Sequence, residues 1–411
     1  MKTAVLTFFA ALGFAASCAA DVSNLISAGG IEASVSESVK NLDIFKPSAG
    51  NALNFKIFEN CDNSGAENFV LYPKGVREVL KVALLSSSGG AQAELEKVLG
   101  VKKSELLENL KSGKSAPANS EEFAEANLFL ASDKFKKNEK FSDELKKYFG
   151  AEVMVCDFSK PQKTADFVND WVKENTRSMI EGALRPSDVS ALTSVIIANA
   201  AVFDAKWKAK FKEKDTSVEK FKTAQSGLVE VNMMHIKSKE IAYSEVGDFK
   251  AVKIPYKGGN YFFVGVLPLD EESAAFPPAE EFAALWNCFA DVEVDLYMPK
   301  FEFETGRVDL KQTLENLGAR SVFEWSGENF SEFFDEKVQQ KIDKFFQKVL
   351  IKVDEEGTKA AAFTGMISLG YASVSEKAVF RADRPFSFFI VDKNGKILFM
   401  GRVGNPAKYR L

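Results

Sequence analysis

Histidine is nearly absent from this chain: among 411 residues there is one, His235, alongside only four cysteines. A Ser-His-Asp hydrolase would have to use His235 as its proton carrier, because that triad needs an imidazole. His235 stands in Val231-Asn232-Met233-Met234-His235-Ile236, a strand-like setting with no serine elbow nearby, and reads as a packed or surface histidine. Metal chemistry lacks its material too. HExxH, CxxC and calcium-loop patterns are missing, and one histidine with scattered cysteines does not make a zinc site. Gly89-Gly90 and Gly258-Gly259 lack the lysine and helix context of a phosphate loop and read as turns. No metal, cofactor or enzymatic activity is therefore expected. Positive charge is not in excess either: 53 Lys and Arg face 58 Asp and Glu, a formal charge of -5. Such a balance offers no bulk field for nucleic acid or an anionic membrane, and neither is an expected partner.

What is present is core material. Hydrophobic residues make up 46% and charged residues 27%, with 37 Phe, so the chain reads as a folded globule. Residues 1–20 differ from the rest. Lys2, an apolar run from Ala4 to Ala16, and the small residues Ser17, Cys18, Ala19 and Ala20 before Asp21 have the pattern of a secretory signal peptide. A lipid-anchored Cys18 is the other reading, but Ala15-Ala16-Ser17 is a poor lead-in for it. No later segment approaches the roughly 20 uninterrupted apolar residues a spanning helix needs, so the product is expected to be secreted and free of membrane spans. Cys61, Cys156 and Cys288 remain after Ala20, an odd number that leaves at least one thiol unpaired or paired between chains. The sequon Asn329-Phe330-Ser331 marks Asn329 as a candidate glycosylation site.

No Pro/Ser/Gly-rich linker divides residues 21–411, which are expected to form one domain and a monomer. Val76, Val79, Leu80, Ala83 and Leu84 have helical spacing after Pro73; Val168, Trp171, Val172, Met179 and Ile180 mark a second amphipathic helix ending near Gly182. Strand patterns cover 195–203, 241–254, 261–267, 292–303, 349–353 and 386–391, the last followed by Asn394-Gly395 and then 396–403, a tight-hairpin signal. The class is α+β. Lys206, Lys208, Lys210, Lys212 and Lys214 alternate around Trp207 and Phe211. That pattern suits a heparin-like polyanion, but the interspersed acids and the overall charge favour a solvated face, so polyanion binding is not expected.

From Asp354 the sequence leaves ordinary patterning. Glu355-Glu356-Gly357-Thr358-Lys359-Ala360-Ala361-Ala362-Phe363-Thr364 is followed by a stretch of weak pattern and then Phe380-Arg381-Ala382-Asp383-Arg384-Pro385-Phe386. This resembles the hinge, reactive-centre loop and following strand of the serpins. Other matches follow in family order: Asn169-Asp170-Trp171-Val172, Asn199-Ala200-Ala201-Val202-Phe203 with Lys206-Trp207, Ile254-Pro255-Tyr256-Lys257-Gly258-Gly259, Met298-Pro299-Lys300-Phe301 and Gly401-Arg402-Val403-Gly404-Asn405-Pro406. The resemblance implies three β-sheets surrounded by about eight to nine helices, with an exposed loop over about 355–379. It also implies a suicide inhibitor, in which a protease cuts the loop and the freed strand enters the main sheet.

The hinge also makes sense without the name. A loop that becomes a central strand needs small side chains on its inward face, and Thr358, Ala360, Ala362 and Thr364 supply one. Lys359, Ala361 and Phe363 fall on the opposite face. With Glu355 as residue one of the hinge, the family's spacing puts the scissile bond at Tyr371-Ala372. Tyr371 suits the hydrophobic slot of chymotrypsin-like proteases, and chymotrypsin-like or elastase-like serine proteases are the expected partners. Met366, Ile367 and Leu369 are alternative anchors, and cathepsin L-like cysteine proteases are alternative targets. A noninhibitory serpin acting as carrier or chaperone is the competing reading, although such hinges tend to hold proline or charge at inward positions. Trp207, Asn199 and Gln347 match the family's breach and shutter, the points where the main sheet opens. The chain departs from the family there: Tyr72 and Gly75 replace two common serines, and Gln347 replaces a frequent histidine while keeping the means to bond Asn199.

Overall fold

Proline opens two of the helices, and left-handed glycines end others. Pro73 starts α2 and Pro161 starts α6, where the missing N–H costs nothing; Gly100 (φ 66°) and Gly150 (φ 58°) end α3 and α5. The computed structural model describes residues 46–61, 67–112, 122–225, 227–271, 273, 275–335, 338–358 and 377–408. The expected signal peptide at 1–20 lies outside them. Among the described residues the helices are α1 (Ala49–Cys61), α2 (Pro73–Ser86), α3 (Gly89–Leu99), α4 (Lys103–Lys111), α5 (Glu139–Phe149), α6 (Pro161–Asn175), α7 (Ala279–Asn287) and α8 (Lys311–Leu317). None is long and apolar enough to cross a membrane. Helix α6 stops short of the expected end near Gly182, because Arg177 and Ser178 take left-handed backbone (φ 52° and 60°) just after its C-cap, Thr176.

The strands, in chain order, are β1 (Asn68–Leu71), β2 (Phe123–Ser132), β3 (Ala151–Cys156), β4 (Val195–Phe203), β5 (Ala205–Lys206), β6 (Ser217–Lys222), β7 (Leu228–Ser238), β8 (Ala242–Val246) and β9 (Phe249–Pro255). They continue as β10 (Tyr261–Pro268), β11 (Ala290–Asp291), β12 (Glu293–Pro299), β13 (Phe301–Asp309), β14 (Ile342–Val353), β15 (Gly357–Thr358), β16 (Lys377–Arg381), β17 (Phe386–Asp392) and β18 (Ile397–Val403). Three main sheets result, as the α+β reading requires. A 7-stranded sheet runs β1-β18-β17-β10-β9-β8-β11, a 4-stranded sheet β16-β12-β7-β6, and a 5-stranded sheet β13-β14-β4-β2-β3, with β15 and β5 forming a separate two-stranded ribbon.

The 5-stranded sheet carries the site. Its central strand β4 is buried at every position, which explains its unbroken apolar sequence. Ile196, Ala198 and Ala200 pack with Val168, Trp171 and Val172 of α6. On the other face Val195 and Ile197 join the core that contains Val76, Val79 and Leu80 of α2. The sheet is thus a middle layer, and nothing can enter it except between strands.

One expectation is corrected here. Asn329 is fully buried, and its Nδ2 donates to the carbonyls of Ser321 (2.8 Å), Glu324 (2.7 Å) and Gln340 (3.1 Å). A sugar on Nδ2 would displace these bonds and has no room, so the sequon is spent on fixing a turn rather than on a glycan. His235, on β7, bonds Asp295 Oδ1 through Nε2 (2.6 Å) and stacks on Tyr297 at 4.3 Å, a packed sheet-face position without a serine among its partners. Cys61 Sγ lies 3.4 Å from Thr313 Oγ1 and Cys156 Sγ 3.7 Å from Thr164 Oγ1.

Candidate functional site

Strands β4 and β14 are parallel neighbours joined by a long crossover from Phe203 to Ile342 rather than by a turn, so the seam between them divides the sheet into two separately anchored halves. The paired ladder runs from Ile342–Val195 to Val349–Ala201. Strand β14 continues to Val353, and on its other side stays paired with β13 up to Phe301–Val353. Above Val349, then, the β4-facing edge of β14 has no β4 partner. The seam is closed at one end and open at the other.

A polar cluster ties the closed part. Gln347 on β14 and Asn199 on β4 are opposite one another in the ladder, and Gln347 Nε2 donates to Asn199 Oδ1 at 2.6 Å. The same Nε2 donates to the Tyr72 carbonyl (2.8 Å), and Tyr72 N–H donates back to Gln347 Oε1 (2.7 Å). Asn199 Nδ2 continues the chain to Asn127 Oδ1 on β2 at 2.7 Å. Three strands and the N-cap of α2 are held by three amides and a backbone segment, all buried. The replacement of histidine by glutamine therefore preserves a donor and an acceptor at this point.

Tyr72 and Gly75 explain one another. A Cβ at residue 75 would lie 2.4 Å from Tyr72 Cε1 and 2.5 Å from Asn199 Oδ1, so the phenol ring takes the volume that a side chain at 75 would fill. The ring packs against Phe399 (4.8 Å) and Phe123 (5.7 Å), and its hydroxyl donates to the buried carboxylate of Glu125 on β2, which also holds Lys74 Nζ at 2.5 Å. Burial, then the Glu125 charge, pushes the Tyr72 hydroxyl far above its ordinary pKa, so it stays a donor. Tyr72 thus fastens β2 and α2 together rather than wedging the seam apart.

Replacing Gln347 by Leu leaves Tyr72 N–H, Tyr72 O and Asn199 Oδ1 buried with their principal partner gone. At about 1–3 kcal/mol for each unmet buried group, partly offset by apolar packing, a native-state loss of about 2–4 kcal/mol is expected. Thermal denaturation of the variant should show a melting temperature lower by several degrees, and an unchanged value would mean the seam is not held there.

At the open end the hinge residues Glu355, Glu356, Gly357 and Thr358 are clamped. Trp207 Nε1 donates to the Asp354 carbonyl (2.9 Å), Trp207 N–H to Glu356 O (3.0 Å) and Phe211 N–H to Glu355 O (3.2 Å). Glu355 is pinned through one oxygen by Lys300 Nζ (2.6 Å) and through the other by Thr216 Oγ1 (2.8 Å). Burial alone would raise its carboxyl, yet Lys300 and Thr216 hold it below the usual carboxylate range. Lys210 Nζ pairs with Glu356 at 2.5 Å. Gly357 lies against β5 so closely that a Cβ would be 2.2 Å from Ala205 O, which leaves glycine as the residue that fits. Gly357 pairs with Lys206 and Thr358 with Ala205, antiparallel. Thr358 is 1% exposed, and its Oγ1 is 2.6 Å from the hydroxyl of Tyr256, whose ring stacks on Trp207 at 4.6 Å. The first of the small inward-facing residues is already inside the protein.

Of the residues singled out in the sequence, Asn199 with Gln347 and Trp207 with Glu355–Thr358 are brought together as two clusters. Lys359, Ala360, Ala361, Ala362, Phe363, Thr364, Met366, Ile367, Leu369, Tyr371 and Ala372 lie outside the described residues. Sequence reasoning missed Tyr256 and Lys300, although both stand in motifs quoted above, and it missed Asn127, Thr216 and Glu125, which carry no local signal.

Comparison with known proteins follows this geometry. A family model described as Serpin (serine protease inhibitor) matches residues 48–406. A protein of Bombyx mori named Antichymotrypsin-2 is 30% identical over 350 residues, 82% of this chain and 92% of that protein. Neuroserpin of Rattus norvegicus is 31% identical over 368 residues, 83% of this chain and 86% of that protein. Among solved structures, Serpin48 of the insect Tenebrio molitor superposes with a TM-score of 0.77 at 28% identity, covering 89% of this chain and 99% of that one.

Proposed function

The chain belongs to the serpin family, a family of protease inhibitors, and from that premise we propose that it is a secreted suicide inhibitor of chymotrypsin-like or elastase-like serine proteases. The observation that carries this reading is the hinge held in strand geometry near a seam whose upper part lacks a partner strand among the described residues. The protease serine attacks the Tyr371 carbonyl, the bond to Ala372 breaks, and the new amino end leaves with the C-terminal segment. The Tyr371 carbonyl carbon stays esterified to the protease. Freed at that end, residues from Thr358 onward enter between β4 and β14 and carry the attached protease with them before water can hydrolyse the ester. This chain needs no catalytic group of its own. Tyr371 as the anchor, and a relative whose name describes action against chymotrypsin, support the target class.

The test is direct. Incubation with chymotrypsin and with elastase should give a complex that survives SDS, while sequencing of the released C-terminal fragment should begin at Ala372. Complete loop cleavage with no complex would overturn the reading in favour of a noninhibitory serpin.

A further inference from the structure

Beside the hinge clamp, with which it shares Lys206, Trp207 and Lys210, the structure contains a groove of about 1100 Å³. One wall is the segment after β4, which carries Lys206, Lys208 and Lys210; the other is the end of β9 and its turn, which carries Lys253 and Lys257. Two backbone bonds hold these walls together, Lys257 N–H to Lys206 O (2.7 Å) and Lys208 N–H to Pro255 O (2.9 Å). The alternating lysines that read as a solvated stripe in the sequence therefore gain a second basic wall from a segment some 45 residues on. Five lysines line the groove against two acidic residues, Glu240 and Asp291, in a chain whose net charge is -5.

The lysines are unequally occupied. Lys210 is committed to Glu356, and Lys208 has a loose ion pair with Glu240 at 3.6 Å. Neither Lys253 nor Lys257 makes an ion pair with a described carboxylate. Lys253 Nζ is instead held before the rings of Phe289 (4.8 Å), Trp286 (5.2 Å) and Phe262 (5.6 Å), which fix its position without neutralising it. Burial pushes that ammonium below its ordinary pKa, a cost that an arriving anion would remove.

We infer that this groove is a binding site for a compact polyanion, a small molecule bearing several sulfate or phosphate ester groups. Lysine ammoniums are point charges that suit tetrahedral oxyanions without the planar fork that favours a single carboxylate. Their spread over two walls calls for several anionic groups on one ligand. The site is independent of whether the protein inhibits a protease.

The experiment is titration calorimetry on the full chain at physiological salt, with sucrose octasulfate and inositol hexakisphosphate as separate probes. At least one should bind with one-to-one stoichiometry, and the stronger of the two identifies sulfate or phosphate as the preferred group. The double variant K253Q/K257Q should bind at least tenfold more weakly, with a shallower dependence on salt. Should that variant melt early, the single surface change K208E should give the same direction of effect, while K146Q/K147Q on α5 should bind as the unaltered chain does. Failure of both probes to bind, or undiminished binding by K253Q/K257Q and K208E, overturns the assignment.

Discussion

On the proposed trapping mechanism, Thr358→Arg should turn the protein into a substrate that is cut without holding the protease. Thr358 is buried beside Tyr256, with its hydroxyl bonded there, and on the proposed insertion strand alternation assigns it to the inward face. A guanidinium at that position must either be buried without a charge partner, at a cost of several kcal/mol, or hold the hinge outside the sheet. Because each 1.4 kcal/mol is a factor of ten in rate, insertion should slow by about a hundredfold or more, and hydrolysis of the ester then wins the race. Gels should show the SDS-stable complex reduced to less than about a tenth, with cleavage at an unchanged bond. Lys359→Arg, on the opposite face by strand alternation, should leave the complex intact. Equal trapping by Thr358→Arg would show that the hinge does not enter the sheet.

The second large effect is on heat stability after cleavage. If the cut loop becomes a strand between β4 and β14, it gains two ladders. About ten new hydrogen bonds at a net ~1 kcal/mol each give about 10 kcal/mol, before the added side-chain burial. For a domain of this size a kilocalorie moves the melting point by roughly 1–2 °C, so the nicked protein should melt at least about 10 °C higher. Calorimetry on intact and protease-nicked samples measures this, and equal melting points would contradict insertion.

How far these features can be read from the amino acids depends on whether the signal is local. Strand β4 matches the expected span 195–203 because burial on both faces leaves a continuous apolar run. The span 241–254 is really two strands, divided at Gly247 (φ 59°), and 292–303 breaks between Pro299 and Phe301. Strand β14 begins at Ile342, well before the expected 349, because Asp343 and Lys348 hide its period. They are ordinary strand residues paired with Ser194 N–H and with Glu304. In the site, the Gln347–Asn199 bond was legible as two amides at matching family positions. The complementarity of Tyr72 and Gly75 was not, since the clash that excludes a side chain at 75 exists only once α2 is docked under Asn199. The Lys300 and Thr216 contacts to Glu355 likewise join segments that only the fold brings together.

The ribbon between Gly357–Thr358 and Ala205–Lys206 bears on kinetics. Starting a new strand normally requires fixing several backbone angles before any hydrogen bond repays the entropy, and closing a long loop adds to that barrier. On the proposed insertion, Gly357 and Thr358 start from paired, extended backbone beside β5, so fewer angles remain to be fixed when elongation begins. On the same proposal the zippering is limited by how quickly the Gln347–Asn199 contact yields, which sets the pace of the transition at a point remote from where the chain is severed.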